Sequence, residues 1–172
     1  DPVVFMEPKA LYWSKAELEL PARTEPFGRA AVRREGSDVT LVAYGPQVPN
    51  ALKAAEVAAE EEGWSVEVID LRTLVPFDDE TVAASVRKTG RCVVVSEAAG
   101  FGGVGGEIAA RVSERCFHSL AAPVLRVSGL DIPYPPPMLE HTHLPGVDRI
   151  LDAMARLQWD DQPDVAHLEV SR

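Results

Sequence analysis

Cysteine is scarce in this chain, two in 172 residues, and Phe, Trp and Tyr together make up only 6%. Cys92 and Cys116 fall in an expected strand and an expected helix, and neither has a C-x-x-C partner. That spacing excludes the usual thiolate metal or redox motif and leaves two core thiols in a reducing compartment. No apolar run approaches the roughly 20 residues that span a bilayer, and the first residues lack the basic, apolar and small-residue succession of a secretory signal, so a soluble cytoplasmic protein without membrane contact is expected. Basic residues are also few: 17 Lys and Arg stand against 27 Asp and Glu, a net charge of −10. Scattered cations among more numerous acids argue against nucleic acid as a partner, because neutralising phosphates requires clustered Lys and Arg. A basic partner suits such a surface better, although Glu60, Glu61, Glu62, Asp78, Asp79 and Glu80 also read as plain solvation of helix faces and ends.

What is present is enough for one ordinary domain: at 46% apolar and this length, a chain buries roughly 70% of its unfolded surface. Residues 1–36 show no sustained period beyond Val3, Val4 and Phe5, a candidate short strand, and read as an interdomain connector to an upstream domain. Residues 37–159 carry the folded domain. Val39 to Tyr44 is a β-branched run ended by Gly45 and Pro46, the first core strand. The alanine-rich segment from Pro49 to Glu62 sets Leu52, Ala55, Ala58 and Ala59 on one face, a helix packed on a sheet and stopped at Gly63. Val66 to Leu71 is the second strand. A helix follows from Asp78, with Asp78, Asp79 and Glu80 at its positive end, Arg87 and Lys88 at its negative end and Gly90 beyond.

Cys92 to Ser96 is apolar without alternation, as in a parallel strand covered on both faces. A glycine loop from Gly100 to Gly106 leads into a helix with Ile108, Ala109, Val112 and Cys116 on one side. Pro123 to Val127 makes a further strand, and Asp131 to Pro137, holding four prolines, cannot be regular structure. Val147, Ile150, Leu151, Met154 and Leu157 mark an amphipathic helix over 147–158. Residues 160–172 read as a mobile polar tail. The order β-α-β-α-β-α-β-α predicts an α/β fold, a three-layer, open and mainly parallel sheet with helices on both faces.

Few residues invite chemistry. Gly100, Gly102 and Gly105 satisfy G-x-G-x-x-G between a strand and a helix, the setting of a dinucleotide fingerprint. The motif sits in the third β-α unit, however, and Arg126, Val127 and Ser128 stand where an acid would hold the ribose. A tight turn that lets helix and neighbour pack closely is the alternative, and the one adopted here. Glu140, His141, Thr142 and His143 place two imidazoles on one side only if extended, and a metal would need a third ligand from Asp131, Asp148 or His118. His118 reads as a helix-end cation. Ser96 lacks the G-x-S-x-G surroundings of a nucleophile. Glu97 stands at the carboxyl edge of a central parallel strand, where open α/β sheets bind ligands. No catalytic, cofactor-binding or metal-binding residue is therefore assigned. Phe101, Val104 and Ile132 are candidate exposed apolar residues, and with Glu97, Gly102 and Gly103 they form the candidate subunit interface.

The wording of several segments resembles one family. Phe5 to Tyr12 (FMEPKALY), Gly36 to Gly45, the block from Ser65 to Ala110, Cys116 to Pro123 (CFHSLAAP), and Gly129 to Pro135 (GLDIPYP) are similar to the β subunit of thiamine-dependent 2-oxo acid dehydrogenases, in the carboxy-terminal domain shared with transketolases. EPKALY, EVIDLRTLVPFD, KTGR and CFHSLAAP resemble the branched-chain type more than the pyruvate dehydrogenase type. The resemblance implies a transketolase C-terminal-domain-like fold in a multienzyme complex that decarboxylates a 2-oxo acid and acylates a lipoyl arm. Thiamine diphosphate and magnesium would belong to the whole heterotetramer, with the acid and histidine that serve the cofactor outside this chain. The implied partners are the E1 α subunit, a second β subunit and the E2 lipoyl acyltransferase core, while this piece alone would be inactive. Two departures concern docking of that core: Ala121 stands where relatives carry an acid before Ala-Pro-Val, and the chain continues past Trp159. A free-standing dinucleotide-binding module of Rossmann type is the alternative from a different class.

Overall fold

The computed structural model describes residues 2–15, 17 and 26–158; the expectation for 160–172 lies outside the described residues. Five strands form one sheet in the order β1 (Ala31–Arg34), β3 (Val66–Asp70), β2 (Val39–Ala43), β4 (Cys92–Ala99), β5 (Leu125–Gly129). Every pairing is parallel except β1 with β3, which is antiparallel. The helices are α1 (Gln47–Glu61), α2 (Asp79–Thr89), α3 (Val104–Cys116), α4 (Glu140–His143) and α5 (Val147–Arg156).

Alternation along the strands divides the core in two. Leu41, Val66, Val68, Val93, Val95 and Val127 point to one face, where they meet α1 and α5. Val42, Ile69, Cys92 and Val94 point to the other, where they meet α2 and α3. The predicted three-layer α/β arrangement is the one observed. On the first face α1 presents Ala51, Ala54, Ala55 and Ala58, all fully buried, so the helix lies close against the sheet. On the second face a buried polar group replaces part of the apolar contact: Thr40 Oγ1 lies 2.7 Å from Ser85 Oγ and 2.8 Å from Thr89 Oγ1. Beside it Glu67, 2% exposed, accepts from the Lys88 ammonium and from the Gly36 amide. Burial pushes the Glu67 carboxyl up, but the bonds from Lys88, Ser85 and Gly36 outweigh it and hold it below the usual carboxylate range.

α2 has the ends its sequence predicts. Asp78 accepts from the Thr81 amide at 3.1 Å and, across the fold, from the Ala30 amide at 2.9 Å, and Gly90 closes the helix in the left-handed conformation. Burial raises the Asp78 carboxyl, yet the Ala30 and Thr81 bonds lower it further than burial lifts it. Capping of this kind contributes about 1 kcal/mol.

The structure differs from the sequence reading in four places. β1 has no predicted counterpart, while Val3, Val4 and Phe5 form no strand and are fully exposed to solvent. α1 begins at Gln47, two residues before Pro49, because proline is tolerated within a helical first turn. β5 runs from Leu125 to Gly129 instead of from Pro123 to Val127, since Pro123 lacks the amide a ladder requires. Glu140 to His143 is a single helical turn, so the two imidazoles diverge. Among the described residues no group of three His, Cys, Asp or Glu comes together as a metal site. Nor is any helix long and apolar enough to cross a membrane.

Candidate subunit interface

The chain leaves β2 toward β3 on one side and returns to β4 on the other, which makes the carboxyl ends of β2 and β4 a switch point of the sheet. Tyr44, Ser96 and Glu97 stand there. Ser96 is buried and bonds the Tyr44 hydroxyl. Burial raises the Tyr44 phenol and the nearby Glu97 carboxylate adds to it, with the Ser96 bond opposing. Glu97 itself is exposed.

Beyond Glu97 the chain turns through the glycine loop into α3. Gly103 is the N-terminal cap residue of α3, and a Cβ there would stand 2.3 Å from the Ala99 carbonyl oxygen. Only glycine fits so near a backbone oxygen. Gly129, at the end of β5, is constrained in the same way: its Cβ would lie 2.4 Å from the Glu97 carbonyl oxygen and 3.0 Å from His143 Nε2. Both glycines thus serve chain packed on chain. Asp131 Oδ1 accepts from the Phe101 amide at 2.8 Å, and Arg126 Nη1 donates to the Gly100 carbonyl at 2.9 Å. These two bonds hook the glycine loop to β5 and to the segment after it. They also set a carboxylate against the loop amide that a pyrophosphate would otherwise approach.

The hooked loops carry a rim of apolar side chains. Phe101 is 89% exposed, Ile132 53% and Met138 86%, with Val104, Leu130, Tyr134 and Leu139 also open to solvent. Isolated exposed apolar residues need no explanation, but a cluster on one edge does. Of the residues named from sequence, Glu97, Phe101, Gly102, Gly103, Val104 and Ile132 all lie on this carboxyl edge, in β4, the loop, the start of α3 and the segment after β5. Sequence reasoning weighed Glu140 and His143 only as a metal site and missed Tyr134, which joins them. The Tyr134 hydroxyl donates to Glu140 Oε1, and its ring meets His143 edge-on at 5.1 Å. That carboxylate, with burial and Glu97 adding, pushes the Tyr134 phenol up to about 12. For Tyr134 the signal in the sequence was the proline run around it.

The residues from 28 to 150 match the family model for the transketolase C-terminal domain. The chain belongs to that family. Among curated relatives of this transketolase C-terminal domain protein, the 3-methyl-2-oxobutanoate dehydrogenase subunit beta of Mycobacterium tuberculosis is 48% identical over 157 residues, 91% of this chain and 45% of that subunit. The pyruvate dehydrogenase E1 component subunit beta of Leifsonia xyli is 51% identical over 91% of this chain and 46% of its own length. The mitochondrial 2-oxoisovalerate dehydrogenase subunit beta 2 of Arabidopsis thaliana is 49% identical over 90% and 43%. The chain thus spans somewhat under half the length of the curated relatives it matches. Among solved structures, an inactive β4 tetramer of a split-gene transketolase superposes with a TM-score of 0.65 at 31% identity, covering 81% of this chain and 44% of that one. Branched-chain and pyruvate names both occur among these relatives, and the family match names the C-terminal domain, with no Rossmann module among them.

Proposed function

We propose that this chain is the carboxy-terminal part of the β subunit of a thiamine-dependent 2-oxo acid dehydrogenase, of the branched-chain type, and that it assembles the enzyme without performing its reaction. The observation that carries the assembling role is the apolar rim at the carboxyl edge, held rigid by the Asp131 and Arg126 hooks and bearing Phe101 and Ile132. A second β subunit is the occupant assigned to that rim, and the β4 assembly described for the split-gene transketolase supports it. The E1 α subunit and the E2 lipoyl acyltransferase core are the remaining partners, with Glu97, Gly102, Gly103 and Val104 completing the contact surface. Thiamine diphosphate and magnesium serve the whole heterotetramer. The described residues bring no metal-ligating trio together, so no step through the cofactor is assigned to them. The branched-chain assignment rests on the EPKALY and CFHSLAAP wording and on the Mycobacterium and Arabidopsis relatives.

Sedimentation tests the assembly role. The chain is expected to dimerise at high concentration and the variant with Phe101→Asp and Ile132→Asp to be monomeric with unchanged circular dichroism, whereas a strictly monomeric parent overturns it. Incubated alone with thiamine diphosphate and magnesium, the chain is expected to release no carbon dioxide from 2-oxoisovalerate or pyruvate; turnover refutes the non-catalytic reading. In the complete subunit joined to its α partner, a higher kcat/KM for pyruvate than for 2-oxoisovalerate would move the assignment to the pyruvate type, which the Leifsonia relative favours.

A further inference from the structure

The outer side of β5 opens on a cleft of about 390 Å³ that begins at Gly100 of the glycine loop and is lined by Arg126, Ser128, Arg149, Ala153 and Arg156. β5 ends the sheet and pairs on one side only, so the cleft lies along a free strand edge with α5 beside it. Three guanidinium groups line one cleft in a protein whose net charge is −10. Among the described residues none of the three has a carboxylate within ion-pair distance, although Asp131, Asp148 and Asp152 are on the same or adjoining segments. Elsewhere Arg33 pairs with Asp70, Arg111 with Asp79 and Glu107, and Arg115 with Asp79, while Arg87 and Arg91 donate to backbone carbonyls; what sets the β5 edge apart is that three guanidinium groups without a carboxylate partner line one cleft.

Two of the three are held in place by neutral groups. Arg126 donates to the Gly100 carbonyl, and Arg149 donates to the Ser128 carbonyl at 2.6 Å and to the His143 carbonyl at 3.4 Å. A carbonyl fixes a guanidinium without cancelling its charge, and of five N–H donors one or two are used. Arg126 also crosses the first turn of α3, its Nη1 3.4 Å from where a Gly106 Cβ would be. A helix start is the positive end of the helix, so this placement is unfavourable unless an anion shares it. Arg126 and Arg156 are exposed and Arg149 half-buried, so two of the guanidinium groups are oriented and all three lack a carboxylate partner among the described residues.

We propose that the β5 edge is a binding site for a small ligand carrying two or more oxyanionic groups, phosphate or carboxylate, gripped by Arg126, Arg149 and Arg156. The cleft is within the size range of small-ligand sites, and a guanidinium fork matches either oxyanion in two-pronged fashion. Its lining takes in Gly100 at the start of the glycine loop but none of residues 101–106, and the Phe101 amide is already bonded to Asp131.

The test is titration of the chain with pyrophosphate and, separately, with citrate, followed by NMR at the arginine Nε–H and backbone amide signals. Saturable shifts at Arg126, Arg149 and Arg156 are expected with at least one probe, and which probe binds more tightly decides between phosphate and carboxylate. Arg156→Gln, which removes a side chain with no partner among the described residues, and Arg126→Gln should each weaken binding about tenfold or more. Arg33→Gln, on the opposite edge, should leave it unchanged. Non-saturating shifts with both probes, equal losses in Arg33→Gln, or saturable shifts confined to the amides of 100–106 overturn the proposal.

Discussion

Replacing Gly103 by alanine sets a new carbon 2.3 Å from the Ala99 carbonyl oxygen, about 1 Å inside any tolerable approach. The backbone of Gly103, φ −75° and ψ 154°, suits alanine well, so the cost is steric alone, and because the obstacle is backbone it cannot swing aside. Overpacking of this severity costs about 3 kcal/mol. Gly102 offers the opposite case: φ is +72° with nothing within 4 Å of a Cβ, so alanine there costs about 1 kcal/mol in backbone strain only. At Gly105 a Cβ would meet Ser96 Oγ at 3.5 Å and Val94 at 3.7 Å, ordinary contacts inside a helix, and alanine gains up to about 1 kcal/mol. Thermal unfolding by circular dichroism should therefore rank the variants Gly105→Ala at or above the parent, Gly102→Ala below it and Gly103→Ala lowest, about 10 °C down at 2–4 °C per kcal/mol. A loop whose glycines existed to cradle a phosphate would show no such order in the absence of ligand. If Gly103→Ala unfolds with the parent, or Gly105→Ala is as damaging as Gly103→Ala, the close-packing account of the motif is wrong.

The Glu67–Lys88 pair gives a second measurement: Lys88→Met strands a buried carboxylate and should cost about 2–4 kcal/mol in urea unfolding, whereas the double variant with Glu67→Gln should recover most of it. Glu67 and Asp78 both sit below the usual carboxylate range. Their contribution to stability is present above the unfolded value of about 4 and lost as pH falls through the lower folded values, so acid unfolding should begin in that window and start at higher pH in Asp78→Asn. Burial lifts the Cys92 thiol to about 12 and raises Cys116 as well; both should react with a thiol-specific disulfide reagent only as fast as the protein opens, and a rapid stoichiometric reaction in native buffer would contradict their place in the core.

What could be read from the sequence was whatever had a period or a punctuating residue. The unbroken apolar run at Cys92 to Val95 identified a doubly covered parallel strand, and the acids at Asp78 to Glu80 with Gly90 beyond fixed both ends of α2. β1 escaped because an edge strand is half exposed: Ala31, Val32, Arg33 and Arg34 include two cations, one paired across to Asp70 at 3.8 Å, and carry no alternation that marks a buried face. The rim residues Phe101, Val104 and Ile132 were found because apolar side chains set among glycines and prolines at the ends of elements have no buried face to join. The contact of Tyr134 with Glu140 and His143 was not, because it depends on where the proline run delivers the chain, and prolines announce irregularity without giving its path. The unpaired arginines were hidden for a related reason, since nothing local shows whether a cation will meet an acid 20 residues away.

The four alanines of α1 set a limit on how this protein can vary. Along its middle turns methyl groups separate that helix from the strands, with the buried Gln47 and Val48 confined to its first turn, so the spacing there is near its minimum and a larger side chain at Ala51, Ala54, Ala55 or Ala58 has nowhere to go but outward, taking α1 away from α5 as well. On the far side, where valines and isoleucine from α2 and α3 interlock with the strands, one side chain can shrink while its neighbour grows. Drift in core sequence is thus open around α2 and α3 and closed along the alanine stripe of α1.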